Sequence, residues 1–298
     1  MSITMINCDE LRNRNMISLE NTKASGLNGD FWYYTSANTA DLILRNKCFH
    51  VRNIKAMNDI NEANIHKNDA EMIHALCFCN SSSEKIPMWY LYAGLTGQGI
   101  SLGLTASKMV TFINSITSVQ TVTDSPIDLI VGEDVEIQCG FIYYRKPTDH
   151  TAIKYRNVWY KVTDVDSFER GNNFIKDYPW EYEKEFRIVI LNRTGKAYEK
   201  LKISIRDELI DQLKIKLAPE LSEEDVFKIL DMEGFKSYLS SKLLRSDLGI
   251  KMDLFNRNKE DAWKYITRVL EDMNDNEYAR EVETICSTIH EHKRCRIQ

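Results

Sequence analysis

Between Trp180 and Leu191 the chain runs Trp-Glu-Tyr-Glu-Lys-Glu-Phe-Arg and then Ile-Val-Ile-Leu, an acidic stretch joined to an apolar one. A strand of period two puts Tyr182, Lys184, Phe186 and Ile188 on one face and Glu183, Glu185, Arg187 and Val189 on the other. Two carboxylates two residues apart, with an arginine next along, fit a catalytic edge. They also fit a solvated face with a cross-strand ion pair. Glutamates are poor strand formers unless packing compensates. Trp180, Tyr182, Phe186 and the apolar run therefore draw both carboxylates toward a core.

The 298 residues, 43% hydrophobic and 28% charged, suit one large domain, or one domain with an appendage. A net charge of −5 gives no overall attraction to nucleic acid and leaves room for a local basic groove. No apolar run approaches the ~20 residues of a membrane span, and the N-terminal segment lacks a signal-peptide pattern. Seven cysteines at irregular spacing suit a reduced compartment. The expectation is a cytoplasmic protein with no membrane partner. Cys77 and Cys79 read as alternate residues of a buried strand, too isolated for a zinc site.

Taken in order, residues 1–26 are polar and mixed, an N-terminal arm. Strands are expected at Phe31–Ser36, Cys48–Arg52, Ala75–Cys79, Gly99–Leu104, Val135–Tyr144, the Glu-rich stretch and Lys200–Arg206. Ser36 or Asn38 caps a helix through Ala40–Arg45, and Ser222 with Asp225 forms a capping box for another. Residues 148–178 read as polar and irregular. Gly94, Gly97 and Gly99 lead into a strand with no Gly-Lys-Ser/Thr after them, so the P-loop and Rossmann patterns fail. Ala262, Tyr265, Ile266, Val269 and Leu270 share a helical face. The reading is α+β: a strongly bent, mostly antiparallel or mixed sheet with flanking helices over residues 27–252. A helical C-terminal extension follows at 253–298.

Several blocks arrive in the order of a known family: Trp32–Ser36 with the helix Ala40–Leu44; Asn58, Asp59 and Glu62 in a polar block; Cys77–Cys79; Met88–Ala93; and Gly99–Leu102. The longest match is Lys176-Asp-Tyr-Pro-Trp-Glu-Tyr-Glu-Lys-Glu-Phe-Arg187. On these the chain resembles, from about residue 30 to 252, the bacterial family catalogued as domain of unknown function 2971. The polar block lacks the aromatic and the proline of the family pattern.

The order of elements also resembles that of ADP-ribosyltransferases. That resemblance implies an ADP-ribosyltransferase-like fold with NAD as substrate and no metal. It implies Glu185 as the glutamate that stabilises an oxocarbenium-like transition state, and Glu183 as general base or acceptor-orienting group. Tyr33, Thr35 and Ser36 then supply the first-strand group that holds NAD. Trp89 and Tyr92 stack on the ligand or belong to the core. Arg187 clamps a phosphate or pairs with a glutamate. Asn58, Asp59 and Glu62 line the pocket or form an Asx-turn and helix cap.

The activity implied is NAD-consuming ADP-ribosyl transfer or NAD glycohydrolysis by a toxin-like or antiphage-defence effector. The acceptor would be a protein or nucleic acid, and the C-terminal helices could dock a protein partner. Two other classes fit the same residues. One is a non-catalytic module that binds a nucleotide or a protein. The other is a metal-dependent nuclease using Asp59, Glu62, Glu183 and Glu185, with Lys184 between the last two and Pro126 to Asp128 as a poor Pro-Asp element.

Overall fold

The computed structural model of the chain describes residues 4–6, 10–11, 27–57, 69–81, 85–93, 98–169, 172–219, 221–236 and 243–245. In chain order the strands are β1 (Thr4–Ile6), β2 (Asp30–Ser36), β3 (Cys48–Asn53), β4 (Ile73–Asn80), β5 (Gly99–Thr105), β6 (Ser118–Thr121), β7 (Asp128–Ile130) and β8 (Val135–Phe141). They continue as β9 (Tyr143–Lys146), β10 (Asp149–Tyr155), β11 (Val158–Val162), β12 (Ile175–Asp177), β13 (Glu185–Asn192), β14 (Lys200–Ser204), β15 (Lys214–Leu217) and β16 (Leu243–Arg245). The helices are α1 (Ala37–Asn46), α2 (Ile86–Tyr92), α3 (Ala106–Asn114), α4 (Val165–Glu169), α5 (Asp207–Ile210), α6 (Glu223–Leu230) and α7 (Glu233–Lys236).

The α+β class and the mixed pairing hold, but the single strongly bent sheet does not. The strands form two open sheets, neither curled nor closed. One has eleven strands in the order β16-β15-β5-β2-β4-β3-β14-β6-β7, with β13 and β8 added beside β4. The other has five, in the order β1-β11-β10-β9-β12. A sheet this wide accumulates twist and must curl or split. This one splits at β4.

One edge of β4 pairs with β13 from Ile73 to Cys79. The opposite edge is shared: Cys79 and Asn80 pair with β2, while His74 and Ala75 pair with β3. Between those two short ladders β2 and β3 diverge, and α1 connects them across the gap. Ser36 caps α1 by accepting from the Thr39 N–H, and Lys47 ends it in the left-handed region at φ 50.

β13 lies between β4 and β8 and is buried on both faces, which explains its continuous Ile-Val-Ile run. Phe186 is fully buried and packs edge-on against Phe31 and Phe141 at 5.0 and 5.1 Å. The Glu-rich stretch is not a strand from residue 180. Tyr178–Glu183 is a 3₁₀ turn, opened by Pro179 and closed by Lys184 at φ 46, and β13 starts only at Glu185.

Two other expectations are corrected. Residues 148–178 are not irregular but hold the hairpin β10–β11, α4 and β12. The hairpin turns at Arg156 and Asn157, both at positive φ, the backbone of a type I′ turn. The strand expected over Val135–Tyr144 breaks at Ile142, which carries the chain from the large sheet into the small one. The N-terminal arm contributes β1, parallel to β11, and a buried Leu11 whose carbonyl accepts from the Tyr143 hydroxyl at 2.7 Å. The expected helical extension, 253–298, lies outside the described residues. Among the described residues no helix is long and apolar enough to cross a membrane.

Candidate functional site

The gap between β2 and β3 is a cavity of about 580 Å³. Its floor is Leu76, Cys77 and Phe78 of β4, its roof includes Thr39 and Ile43 of α1, and Trp32 to Thr35 of β2 form one wall. A cavity this size holds a nucleotide-sized ligand. Lys176, Trp180, Glu183, Glu185 and Tyr92 close one end, and His50, Arg52 and Lys200 line the other.

The first end lies on the seam between the sheets. Glu185 and Arg187 come from β13 in the large sheet and Lys176 from β12 in the small one, while Glu183 ends the 3₁₀ turn. Lys176 Nζ is 2.6 Å from Glu183 Oε2 and 2.9 Å from Glu185 Oε2; the second contact is an ion pair whose alignment falls short of a hydrogen bond. Arg187 Nε donates to Glu185 Oε1 at 2.6 Å and its Nη1 to the Asn173 carbonyl at 2.9 Å. Tyr92 donates its hydroxyl to Glu183 Oε1, and the Glu185 N–H donates to the Tyr144 hydroxyl at 2.9 Å. The two glutamates and Arg187 are each no more than 3% exposed. The solvated-face reading is therefore wrong: these are paired, buried charges at the wall of a cavity.

Their environments drive the carboxylates apart. For Glu183, burial is the largest effect, the adjacent Glu185 charge adds to it, and Lys176 and Tyr92 oppose them; its pKa rises to about 7. Burial would also raise Glu185, but Arg187 and Lys176 outweigh it and hold that carboxyl well below the usual range. The site thus offers a fixed anion beside a group that exchanges its proton near neutrality. The Cys77 thiol, hydrogen-bonded to Glu185, is pushed well above its ordinary pKa by burial and then by that charge, so it is a poor nucleophile.

Of the residues expected from the sequence, Glu183, Glu185, Tyr33, Thr35 and Tyr92 line this cavity, and Arg187 reaches it through Glu185. Trp89 is buried edge-on against Tyr34 at 4.8 Å and Ser36 is occupied as the α1 cap, so neither lines it. Lys184 turns away from the glutamates toward Glu181 and the Asn157 side chain, since its left-handed backbone breaks the strand alternation. Asn58, Asp59 and Glu62 lie outside the described residues. Among the described residues no group of three or more His, Cys, Asp or Glu side chains is placed to hold a metal. A divalent ion between Glu183 and Glu185 would have to displace Lys176.

Sequence reasoning missed Lys176, Tyr144 and the basic residues at the far end. Lys176 carried one available signal, its position in the Lys176–Arg187 block, while the others are distant in sequence and meet only through sheet pairing. No protein-family model, curated protein or solved structure matches the chain.

Proposed function

We propose that the cavity takes a nucleotide and cleaves its N-glycosidic bond, with NAD as substrate and water or a transfer acceptor as nucleophile. The observation that carries this reading is Glu183, buried beside the fixed charge of Glu185 and titrating near neutrality at the wall of a ring-lined cavity. In the hydrolytic case the C1′–N bond of the nicotinamide ribose breaks with its electron pair leaving on nicotinamide, which departs neutral. A water oxygen bonds to C1′, and Glu183 takes the water proton and passes it to solvent.

Charge balance supports the same assignment. With Glu183 ionised, two carboxylates face two cations, Lys176 and Arg187, and the set is neutral. With Glu183 protonated the set is net positive and repels the oxocarbenium-like carbon. Activity should therefore rise with pH through about 7. Glu185 keeps a supporting role here: Arg187 and Lys176 hold its carboxyl well below the usual range, which makes it a weaker base than Glu183, and it sets the field around Glu183. Emptying a cell of NAD would give the chain the toxin-like, antiphage effector role that the family resemblance implies.

The test is nicotinamide release from NAD by purified protein beside Glu183→Gln, which keeps a side chain able to meet Tyr92. A loss of ~100-fold or more in kcat, with NAD binding retained, is expected for removal of a general base. The pairing of both glutamates, Glu183 with Lys176 and Tyr92 and Glu185 with Arg187 and Lys176, favours a second reading, a site that binds a nucleotide without turnover. Binding with no release in either protein, with or without lysate as acceptor, would select it.

A further inference from the structure

We infer that the β3–β14 end of the cavity is a phosphate subsite, so that the ligand class is a nucleotide carrying a diphosphate and not a nucleoside. The inference rests on the nucleotide reading above and deepens it.

β3 turns His50 and Arg52 outward while Cys48, Phe49 and Val51 are buried, and β14 turns Lys200 and Lys202 toward the same side while Leu201 and Ile203 are buried. The antiparallel register sets Lys200 opposite Arg52 and Lys202 opposite His50. Two basic pairs thus stand directly across from one another, an arrangement that destabilises a sheet unless an anion relieves it. His50, Arg52 and Lys200 line the cavity. Among the described residues no carboxylate pairs with His50, Arg52 or Lys202, and Lys200 has only the exposed Glu199 at 3.5 Å. The field is felt locally: burial first, then Lys202 and Lys200, lowers the His50 pKa. On the other side of β14, Lys202 faces Gln120 of β6, whose amide donates to Asp128 at 3.3 Å.

The spacing suits one extended ligand. Glu185 pairs with Cys79 and Arg52 with Ala75, four residues apart on β4, or about 13 Å of backbone. The long side chains of Arg52 and Lys200 shorten that gap from the basic end. A glycosidic carbon at the carboxylates would then leave phosphates within reach of the cations, with Tyr33 on the wall between them. Arg52 suits phosphate oxygens through its two-pronged guanidinium.

The experiment is calorimetric binding of ADP-ribose, adenosine and pyrophosphate to the full chain, in wild type, Arg52→Gln and Lys200→Gln, at low and high salt. ADP-ribose should bind ~10-fold or more tighter than adenosine, and the advantage should shrink as salt rises. Pyrophosphate should compete with it. Each variant should lose several-fold against ADP-ribose and nothing against adenosine.

Equal affinities for ADP-ribose and adenosine would overturn the inference. So would a single-stranded oligonucleotide that binds through Arg52 and Lys200 while ADP-ribose does not compete. The two readings fail separately. Phosphate-dependent binding without nicotinamide release removes the cleavage chemistry and keeps the subsite. Nicotinamide release with an unchanged KM in Arg52→Gln does the reverse.

Discussion

Lys176 holds two carboxylates at once, and that makes it the most informative residue to change. Replacing it by methionine keeps the length and removes the charge, leaving Glu183 and Glu185 with Arg187 as the one remaining cation of the set. Breaking a buried pair from one side costs about 3–5 kcal/mol, to be read from urea unfolding. Without its nearest cation, Glu183 should hold its proton to still higher pH, so the inflection of the nicotinamide-release profile should move alkaline. A profile left where it was would show that Lys176 does not tune Glu183.

The stability of the wild type has its own pH signature. The folded chain holds the Glu183 proton to about pH 7, above the unfolded value. Its contribution is therefore complete below the unfolded value and fades as pH rises through 7. Glu185, depressed, contributes in the opposite sense: its share is present above the unfolded value and lost as pH falls through its folded one. The fall in urea midpoint toward alkaline pH should flatten in Glu183→Gln. At this scale the sequence carried Glu185 and Arg187, neighbours on one face of a strand. It concealed the position of Glu183, because alternation cannot anticipate a left-handed Lys184.

The elements show where local pattern succeeds. β2, β3, β4 and β5 were legible from alternation and aromatic content, and the caps at Ser36 and Ser222 from residue type. The hairpin β10–β11 was not, because neither Asp149–Tyr155 nor Val158–Val162 alternates apolar with polar residues and its turn uses Arg156-Asn157 in place of Asn-Gly.

The cavity was illegible as well, since it arises from β4 sharing one edge between β2 and β3, a property of pairing and not of any one strand. The β2–β5 wall of that cavity has a tight point that can be tested. A Cβ on Gly103 would stand 2.5 Å from the Trp32 ring, and Trp32 lines the cavity. Gly103→Ala should cost about 1–3 kcal/mol from overpacking. Ligand affinity should fall with it, because the displaced indole lines the cavity. A variant with wild-type stability and wild-type ADP-ribose binding would mean that Trp32 moves freely and does not shape the site.

At the scale of the whole molecule, the site joins two sheets. Phe141 ends β8 in the large sheet, Tyr143 begins β9 in the small one, and Ile142 N–H donates to the Glu185 carbonyl at 3.0 Å between them. Three further links cross the same seam: Lys176 to both glutamates, Arg187 to the Asn173 carbonyl, and the Glu185 N–H to the Tyr144 hydroxyl. Polar links of this kind lend themselves to coupling, because each is satisfied only while both sheets keep their places. A ligand that engages Glu183 should therefore slow amide hydrogen exchange on β12 and at the head of β13 together, although the two strands belong to different sheets.

Tyr144→Phe tests the link without touching a charge. It leaves the buried Glu185 N–H without its acceptor, at a cost of about 1–3 kcal/mol. Exchange should then speed up at residues 175–177 and at 185–187 alike, while β6 and β7, at the far edge of the large sheet, keep their protection. Protection or loss confined to one sheet would mean that the sheets open independently. The carboxylates would then be held by β13 alone, and the proton affinity of Glu183 would no longer depend on how the small sheet sits.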